Sequence, residues 1–426
     1  MPLLYDIGLG LYHAAIRLAA PFKPKAKAWL KGRDASLWGT LEMKQQKLHG
    51  CLWMHCASVG EFEQGRPVLE ALKKHRPELP VLVTFYSPSG YEACVDHELA
   101  THVEYLPADG TANAKRFIEL VQPSAVLWVK YEFWYHWLHA LKARSIPVFL
   151  LSAIFRKDQA FFKWYGGTHR KMLKCFSQLF VQDDASRDLL AAIDVKNVTV
   201  SGDTRFDRVR MIVDKAAEGH PEDADYTAKM DKWRSVQTAP ILIGGSTWPR
   251  DLELIQAAAN GPDHRPGLII APHEQRDRWD STRLMRQFGR EVGRWSNIIT
   301  KTYAPRDGWI LFADTIGYLS RMYAYADIAY IGGGFGDGIH SLLEAAAWGK
   351  PVIFGPNHKK FAEAKGLIEA GGGFEVNDAQ QLRTVLDRLF GDKALLEAAS
   401  QAAGEYVRSR TGATDRIVSA IAPAIR

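Results

Sequence analysis

Apolar residues fall along this chain in two rhythms that take turns. Short, mostly apolar runs occupy 52–56, 81–85, 103–106, 125–129, 148–152, 179–181 and 198–200, each bounded by polar or glycine-containing turns. Such runs, rather than alternating ones, predict strands buried on both faces. Between them apolar positions recur every three or four residues, as over 112–121 and 184–193, which predicts amphipathic helices. The alternation restarts after residue 239, with strand candidates at 241–243, 268–271, 309–312, 328–331 and 352–354. Two such series imply an α/β fold of two doubly wound units, each with a mostly parallel sheet, facing one another across a cleft. The polar stretch 214–239, with Glu218-Gly-His-Pro-Glu-Asp, reads as a linker. The expected organisation is a helix and basic flank at 1–35, a first domain at 36–213, the linker, a second domain at 240–392, and terminal helices at 393–426 that reach back to brace the first domain.

Composition changes this picture little. At 426 residues with 47% hydrophobic positions, the chain has material for two buried cores of about 200 residues each. The four cysteines, at 51, 56, 94 and 175, form no Cys-x-x-Cys pair, and no histidine cluster has zinc spacing. They read as reduced core thiols of a cytoplasmic protein, and no metal site is expected.

Charge matters by its placement more than by its formal total of +6. Residues 3–20 are apolar but contain Asp6, His13 and Arg17, and are too short and polar in the middle for a comfortable membrane span. The basic residues follow this segment instead of preceding it, unlike a signal peptide. Lys23, Lys25, Lys27, Lys31 and Arg33, interspersed with Phe22 and Trp29, have the composition of a segment lying on an anionic leaflet. A solvated basic flank on a packed helix is the alternative. No nucleic-acid-binding module accompanies the patch.

Two stretches carry candidate chemistry. Strand 52–56 ends in Ser58-Val59-Gly60-Glu61, where a helical pattern with Val68, Leu69 and Leu72 begins. Glu61 therefore projects at the mouth of a β-to-α loop, where a carboxylate serves as a general base or merely caps the helix. Far down the chain, Tyr330 to Glu344 read as strand, glycine-rich loop and helix, with glycines at 332, 333, 334, 336 and 338. Glycines let backbone N–H groups approach a phosphate, and a helix starting after Gly338 adds its dipole. On that helix His340 and Glu344 share one face. Glu132, with Lys130 on the same face of a strand, is either a substrate contact or a structural ion pair. Arg156 and Arg205 are candidate partners for anionic substrate groups. His55 reads as a packed strand histidine.

Taken in order, these residues resemble the Kdo transferases of lipopolysaccharide synthesis. The resemblance runs through Trp53-x-His55, Ser58-x-Gly60-Glu61, Ser87-Pro-Ser-Gly-Tyr91, Glu132-Phe-Trp134, Gly202-Asp-Thr-Arg-Phe-Asp207, Gly245-Ser-Thr247, Ala271-Pro-His-Glu274, the loop leading to His340 and Glu344, Gly355-Pro-Asn357 and Phe361-x-Glu363. It implies a GT-B fold and inverting transfer of 3-deoxy-D-manno-octulosonic acid (Kdo) from CMP-Kdo to a lipid A precursor, at the cytoplasmic face of the inner membrane. It implies Glu61 as catalytic base, Glu132 as a second functional carboxylate, and no metal or cofactor. Donor contacts would come from Ser246, Thr247, His273, Gly333, Gly334, Gly336, Gly338, His340 and Glu344. This chain departs from the family pattern at Lys130, at Tyr135-His136, near Pro272, at Ser341 and at Trp248-Pro249. A GT-B lipid glycosyltransferase using a UDP-sugar, a nucleotide-sugar epimerase and a non-catalytic nucleotide-binding protein are the competing readings.

Overall fold

The computed structural model describes residues 3–220, 223–259, 265–273, 281–300 and 305–425. They form two compact units, one of Met1–Arg208 with Thr411–Arg426 and the other of Val209–Arg410.

The first unit is built on seven parallel strands: β1 (Leu52–Cys56), β2 (Val81–Phe85), β3 (His102–Tyr105), β4 (Ala125–Val129), β5 (Val148–Ala153), β6 (Gln178–Val181) and β7 (Val198–Val200). Their order across the sheet is β3-β2-β1-β4-β5-β6-β7. The chain starts in the middle, winds outward to β3, then returns past β1 to β4. Side chains of β1 go alternately to two cores. Leu52, Met54 and Cys56 join Val68, Leu69 and Leu72 of the helix Val59–His75. Trp53 faces the other way, with ring centroids 4.8 to 5.6 Å from Phe117, Trp128 and Trp137. All four cysteines are buried and unbridged.

In the second unit the strands are β8 (Ile241–Thr247), β9 (Gly267–Pro272), β10 (Val292–Arg294), β11 (Ile310–Phe312), β12 (Ile328–Ile331), β13 (Val352–Phe354) and β14 (Gly373–Glu375). Their order is β10-β11-β9-β8-β12-β13-β14, again all parallel. The two edge strands, β10 and β14, are absent from the apolar pattern. Each is three residues long and ends in a charged, exposed residue, so edge pairing rather than burial defines it.

Three expectations drawn from the sequence change. The stretch 214–239 is not a linker: the helices Thr204–Glu218 and Ala224–Ser235 occupy most of it. Tyr226, Met230 and Trp233 form one buried helical stripe that sparse spacing among charged residues concealed. The helix Lys393–Arg408 belongs to the second unit, packing on Leu343–Ala347, Ala362–Ala370 and Ala379–Gly391. Only the segment from Thr411 joins the first unit. Finally, Trp29 and Arg33 do not face outward. Trp29 is buried, and the Arg33 guanidinium donates to the carbonyls of Leu106 and Tyr86 at 2.8 Å each while facing the rings of Trp29, Tyr86 and Tyr105. Carbonyl oxygens and ring faces solvate this cation inside the protein.

The helix Leu3–Ala19 attaches to the first unit along one side. Tyr5 donates to Asp109 at 2.6 Å, Asp6 pairs with His136 at 2.7 Å, and Tyr12 and Tyr86 share a hydrogen bond of 2.9 Å. Its other side exposes Leu4, Leu11 and Leu18 at 86%, 68% and 76%, followed by Phe22 at 85%. Among the described residues no helix is long and apolar enough to cross a membrane.

Asp207 clamps the returning terminus. Its carboxylate accepts from the Gly412 and Thr414 amides at 2.6 Å each and from the Thr414 hydroxyl at 2.7 Å, capping the helix Ala413–Ile421. Arg416 donates to the Ser201 carbonyl beside it. Loss of a charged cap with three donors costs roughly 2 kcal/mol. Asp207→Ala is therefore expected to speed amide hydrogen exchange across 413–421 by about 30-fold, leaving the second unit's exchange unchanged. Unchanged exchange in that helix contradicts the clamp.

Candidate active site

In both sheets the crossover direction reverses beside the first strand, between β1 and β4 and between β8 and β12. Loops leaving neighbouring strands diverge there, opening a crevice at the carboxyl edge. Most site residues expected from the sequence lie at the carboxyl ends of these strands or their neighbours, whereas Arg205 follows the edge strand β7.

At the first sheet, Ser58 begins the helix Val59–His75 and Glu61 is its third residue. The Glu61 carboxylate reaches back to accept the Ala57 amide hydrogen. Burial pushes its pKa up to about 7, with Glu132 adding to the rise and the Ala57 and Ser58 amides and Lys130 opposing it. Glu61 thus both caps the helix and remains a half-buried, poised carboxylate; the two readings are compatible.

Glu132 follows β4, which ends at Val129. Lys130 turns with φ of 61°, so it and Glu132 do not share a strand face as the sequence suggests. The turn aims Glu132 elsewhere. Its Oε2 accepts from Trp134 Nε1 at 2.7 Å and lies 3.7 Å from His55 Nε2. Tyr131 sits within electrostatic reach of Arg156, Arg205, Asp203 and Glu61, which places both arginines near this edge. Arg156 is exposed, whereas Arg205 is held by Asp203 through contacts of 2.7 and 2.8 Å.

At the second sheet the organising residue is one the sequence reading passed over. Asp251 is almost completely buried, and its Oδ2 accepts from the Trp248 amide at 2.8 Å and the Gly333 amide at 3.0 Å. Tyr330 donates to Oδ1 at 2.8 Å. One carboxylate therefore ties the loop after β8 to the loop after β12. Its signal was local: Asp251 is the third residue of the helix Pro249–Ala259, with proline first, as in a helix-capping pattern.

This network revises the phosphate-cradle expectation. Amides of Gly332, Gly333, Gly336 and Gly338 donate to Gly245 O, Asp251, Gly333 O and Gly333 O, so these four N–H groups turn into the protein. The glycines answer mainly to space and conformation. A side chain at Gly332 would meet the Ser246 carbonyl at 2.3 Å and one at Gly334 the Gly355 amide at 2.6 Å, while Gly333 has φ of +92°. Asn357 buttresses the loop through Gly334 O and Gly336 O. The next helix starts only at Leu343, so His340 is not on it and does not share a helical face with Glu344. The His340 amide instead bonds back to Gly332 O at 3.3 Å.

Side chains supply what the amides do not. The His273 ring stacks between Trp248 and His340, at centroid distances of 4.8 and 4.1 Å. Trp248 Nε1 donates to His340 Nε2 at 3.1 Å, and burial together with His273 lowers the His340 pKa to about 4. His340 is thus neutral near pH 7, with its proton on Nδ1. Ser246, half-buried, has φ of 50°. Thr247 is buried and donates to the Ala271 carbonyl, so its hydroxyl is turned away from the loop, contrary to its expected role. Glu344 stands in the first turn of the short helix and adds to the rise that burial imposes on the pKa of the Tyr323 phenol. A cavity of about 380 Å³ lies against Trp248, Arg250, Gly333, Phe335, Asp337 and His340, a size suited to a small ligand. Glu274, the last residue of its motif, lies outside the described residues.

The raised Glu61 pKa has a stability consequence. Below pH 4.5 the carboxyl is protonated whether the protein is folded or not. As pH rises, the unfolded chain ionises first and the folded state loses stability, reaching a deficit of about 3 kcal/mol above pH 7. Glu61→Gln should match the wild type in denaturant unfolding near pH 4.5 and exceed it progressively up to pH 8. A difference that does not vary with pH contradicts the shift.

Known proteins resemble this chain in sequence and in fold. The family model described as 3-deoxy-D-manno-octulosonic-acid transferase (kdotransferase) matches residues 33–208. A 3-deoxy-D-manno-octulosonic acid transferase of Bordetella pertussis is 27% identical over 97% of this chain and 99% of its own length. Its namesake from Aquifex aeolicus is also 27% identical, over 81% and 87%, and that from Haemophilus influenzae 26%, over 87% and 86%. Among solved structures, UDP-GlcNAc 2-epimerase from Neisseria meningitidis superposes with a TM-score of 0.59 at 17% identity, covering 87% of this chain and 99% of the other. MurG from Acinetobacter baumannii gives 0.53 at 15%, covering 88% and 99%. These structures share the fold, two Rossmann-like units of GT-B type, and the sequence matches make the chain similar over most of its length to the 3-deoxy-D-manno-octulosonic acid transferases, a glycosyltransferase family.

Proposed function

We propose that this chain transfers Kdo from CMP-Kdo to a hydroxyl of a lipid A precursor of the lipid IVA type, with inversion at the anomeric carbon. The observation that carries the mechanism is Glu61: a half-buried carboxylate at the carboxyl edge of β1, oriented by the Ala57 amide and raised to about pH 7. As the acceptor oxygen bonds to the anomeric carbon, its proton passes to Glu61. The carbon–oxygen bond to phosphate breaks, and CMP leaves with the electron pair. Glu132 supports the base through its charge, and Arg156 meets anionic substrate groups, with Arg205 contributing from its pair with Asp203. On the second unit, Ser246, the rim of the glycine loop, His273, His340 and Glu344 hold the CMP end. Neutral His340 acts there by hydrogen bonding rather than as a cation.

We place the protein at the cytoplasmic face of the inner membrane, peripherally or as a monotopic protein. The exposed stripe of Leu4, Leu11, Leu18 and Phe22 meets the acyl chains, and Lys23, Lys25, Lys27 and Lys31 meet the phosphates. At about 1 kcal/mol per lysine near an anionic surface, changing all four to glutamine should weaken sedimentation with phosphatidylglycerol vesicles by more than 100-fold at low salt. Unchanged binding removes the lysines from the membrane face.

The decisive assay is CMP release from CMP-Kdo with lipid A precursor in detergent. Glu61→Gln is expected to lower acceptor-dependent turnover by about 100-fold or more while donor binding persists. Wild-type kcat/KM should rise with pH through about 7, because only the ionised carboxylate accepts a proton. No release by the wild type, or displacement of CMP-Kdo by a UDP-sugar at comparable concentration, overturns the donor assignment. Full activity in Glu61→Gln returns that residue to helix capping.

A further inference from the structure

We propose that His55 is a positioning residue for Glu132, fixed in one tautomer by a buried relay from Trp53 through Thr84. The inference rests on the transferase reading above. His55 lies in the central strand β1, paired in register with Thr84 of β2 on one side and Trp128 of β4 on the other. It is completely buried. Its ring packs 4.6 Å from that of Trp128 and reaches towards the loop that carries Glu132.

The relay starts from a group that can only donate. Trp53 Nε1 gives its hydrogen to Thr84 Oγ1 at 2.8 Å. The Thr84 hydroxyl must then send its own proton elsewhere, and His55 Nδ1 stands 2.9 Å away. With Nδ1 accepting, the ring proton sits on Nε2. The opposite tautomer has Nδ1 donating to the Thr84 carbonyl at 3.1 Å and leaves an Nε2 lone pair facing a carboxylate.

Two further observations separate these arrangements. His55 Nε2 is buried without a hydrogen-bond partner, and the nearest carboxylate oxygen is Glu132 Oε2 at 3.7 Å. A lone pair aimed at that oxygen is repelled by it, whereas an N–H is attracted. A movement of under about 1 Å brings the pair to hydrogen-bond length. The same oxygen already accepts from Trp134 Nε1, and Trp128 Nε1 donates to the Glu132 carbonyl. Two indoles and one imidazole thus fix both the backbone and the carboxylate of Glu132, whose charge acts on Glu61. His55 touches no reacting atom; it sets where that charge stands.

The first test needs no substitution in the protein being measured. In histidine-labelled wild-type enzyme at pH 8, ¹⁵N spectra should show His55 protonated on Nε2 and bare on Nδ1, its signals assigned by their absence from His55→Gln. A proton on Nδ1 overturns the proposal. The second test is kinetic. Glutamine places a nitrogen donor where Nε2 stands; asparagine reaches only as far as Nδ1. His55→Asn should lower kcat about 30-fold with KM for CMP-Kdo within about twofold, while His55→Gln stays within about threefold of wild-type kcat. In a Glu132→Gln background His55→Asn should add little. Equal losses in both His55 variants, or full additivity with Glu132→Gln, overturn it. Should His55→Asn fail to fold, Thr84→Val replaces it and is expected to lower kcat by a similar factor; unchanged kcat there overturns the relay. Wild-type enzyme without turnover would refute the transferase reading alone, since the tautomer is read without substrate.

Discussion

A parallel strand cannot be joined to its neighbour by a tight turn. Each connection must carry the chain back along the sheet, and it does so with one handedness. A sheet begun at its centre and wound outward in both directions therefore has one place where adjacent loops leave on opposite faces. This protein meets that constraint twice, at β1/β4 and at β8/β12. Glu61 and Glu132 follow the first pair of strands; Ser246 stands at the end of the second pair's β8, and Asp251 and the glycine loop follow that pair. The candidate site residues stand where topology has already opened the backbone.

Electrostatics at the first of these places is a balance rather than a single strong pair. Burial and the neighbouring Glu132 favour a protonated Glu61, while two amides and Lys130 favour the charged form. The outcome lies near neutrality, where a carboxyl exchanges protons most readily in either direction. The second place is tuned oppositely. His340, pressed between burial and the stacked His273, stays uncharged, and its geometry is set by an indole donor.

Much of this was legible in the sequence wherever burial alone dictates residue type. Short, mostly apolar runs marked twelve of the strands, and Gly60-Glu61 after such a run marked the edge of β1. What escaped was whatever a partner distant in sequence defines. Strands β10 and β14 exist by pairing along an edge, and neither needs an apolar run. Asp251 is an ordinary helix-start acid until Tyr330 and Gly333 close on it from 79 and 82 residues away. Arg33 looks like one more surface cation beside four lysines, yet aromatic rings and carbonyls from three segments enclose it. The glycine loop misled for the same reason: its composition fits an anion cradle, but the direction of its amides was decided by Asp251 and by turns within the loop.

Glu61 and Asp251 occupy the same station in their units, third in the helix that follows the first strand, each with its carboxylate reaching back to a backbone amide. Asp251 is sealed in, so its hold is constant. Glu61 titrates near neutrality, and a neutral carboxyl is a weaker acceptor for an amide and loses its attraction to the helix dipole. The start of the helix Val59–His75 is therefore a spring with two stiffnesses, firm when Glu61 is charged and slack when it carries a proton. Each proton that arrives loosens the same turn of backbone that aims the residue receiving it.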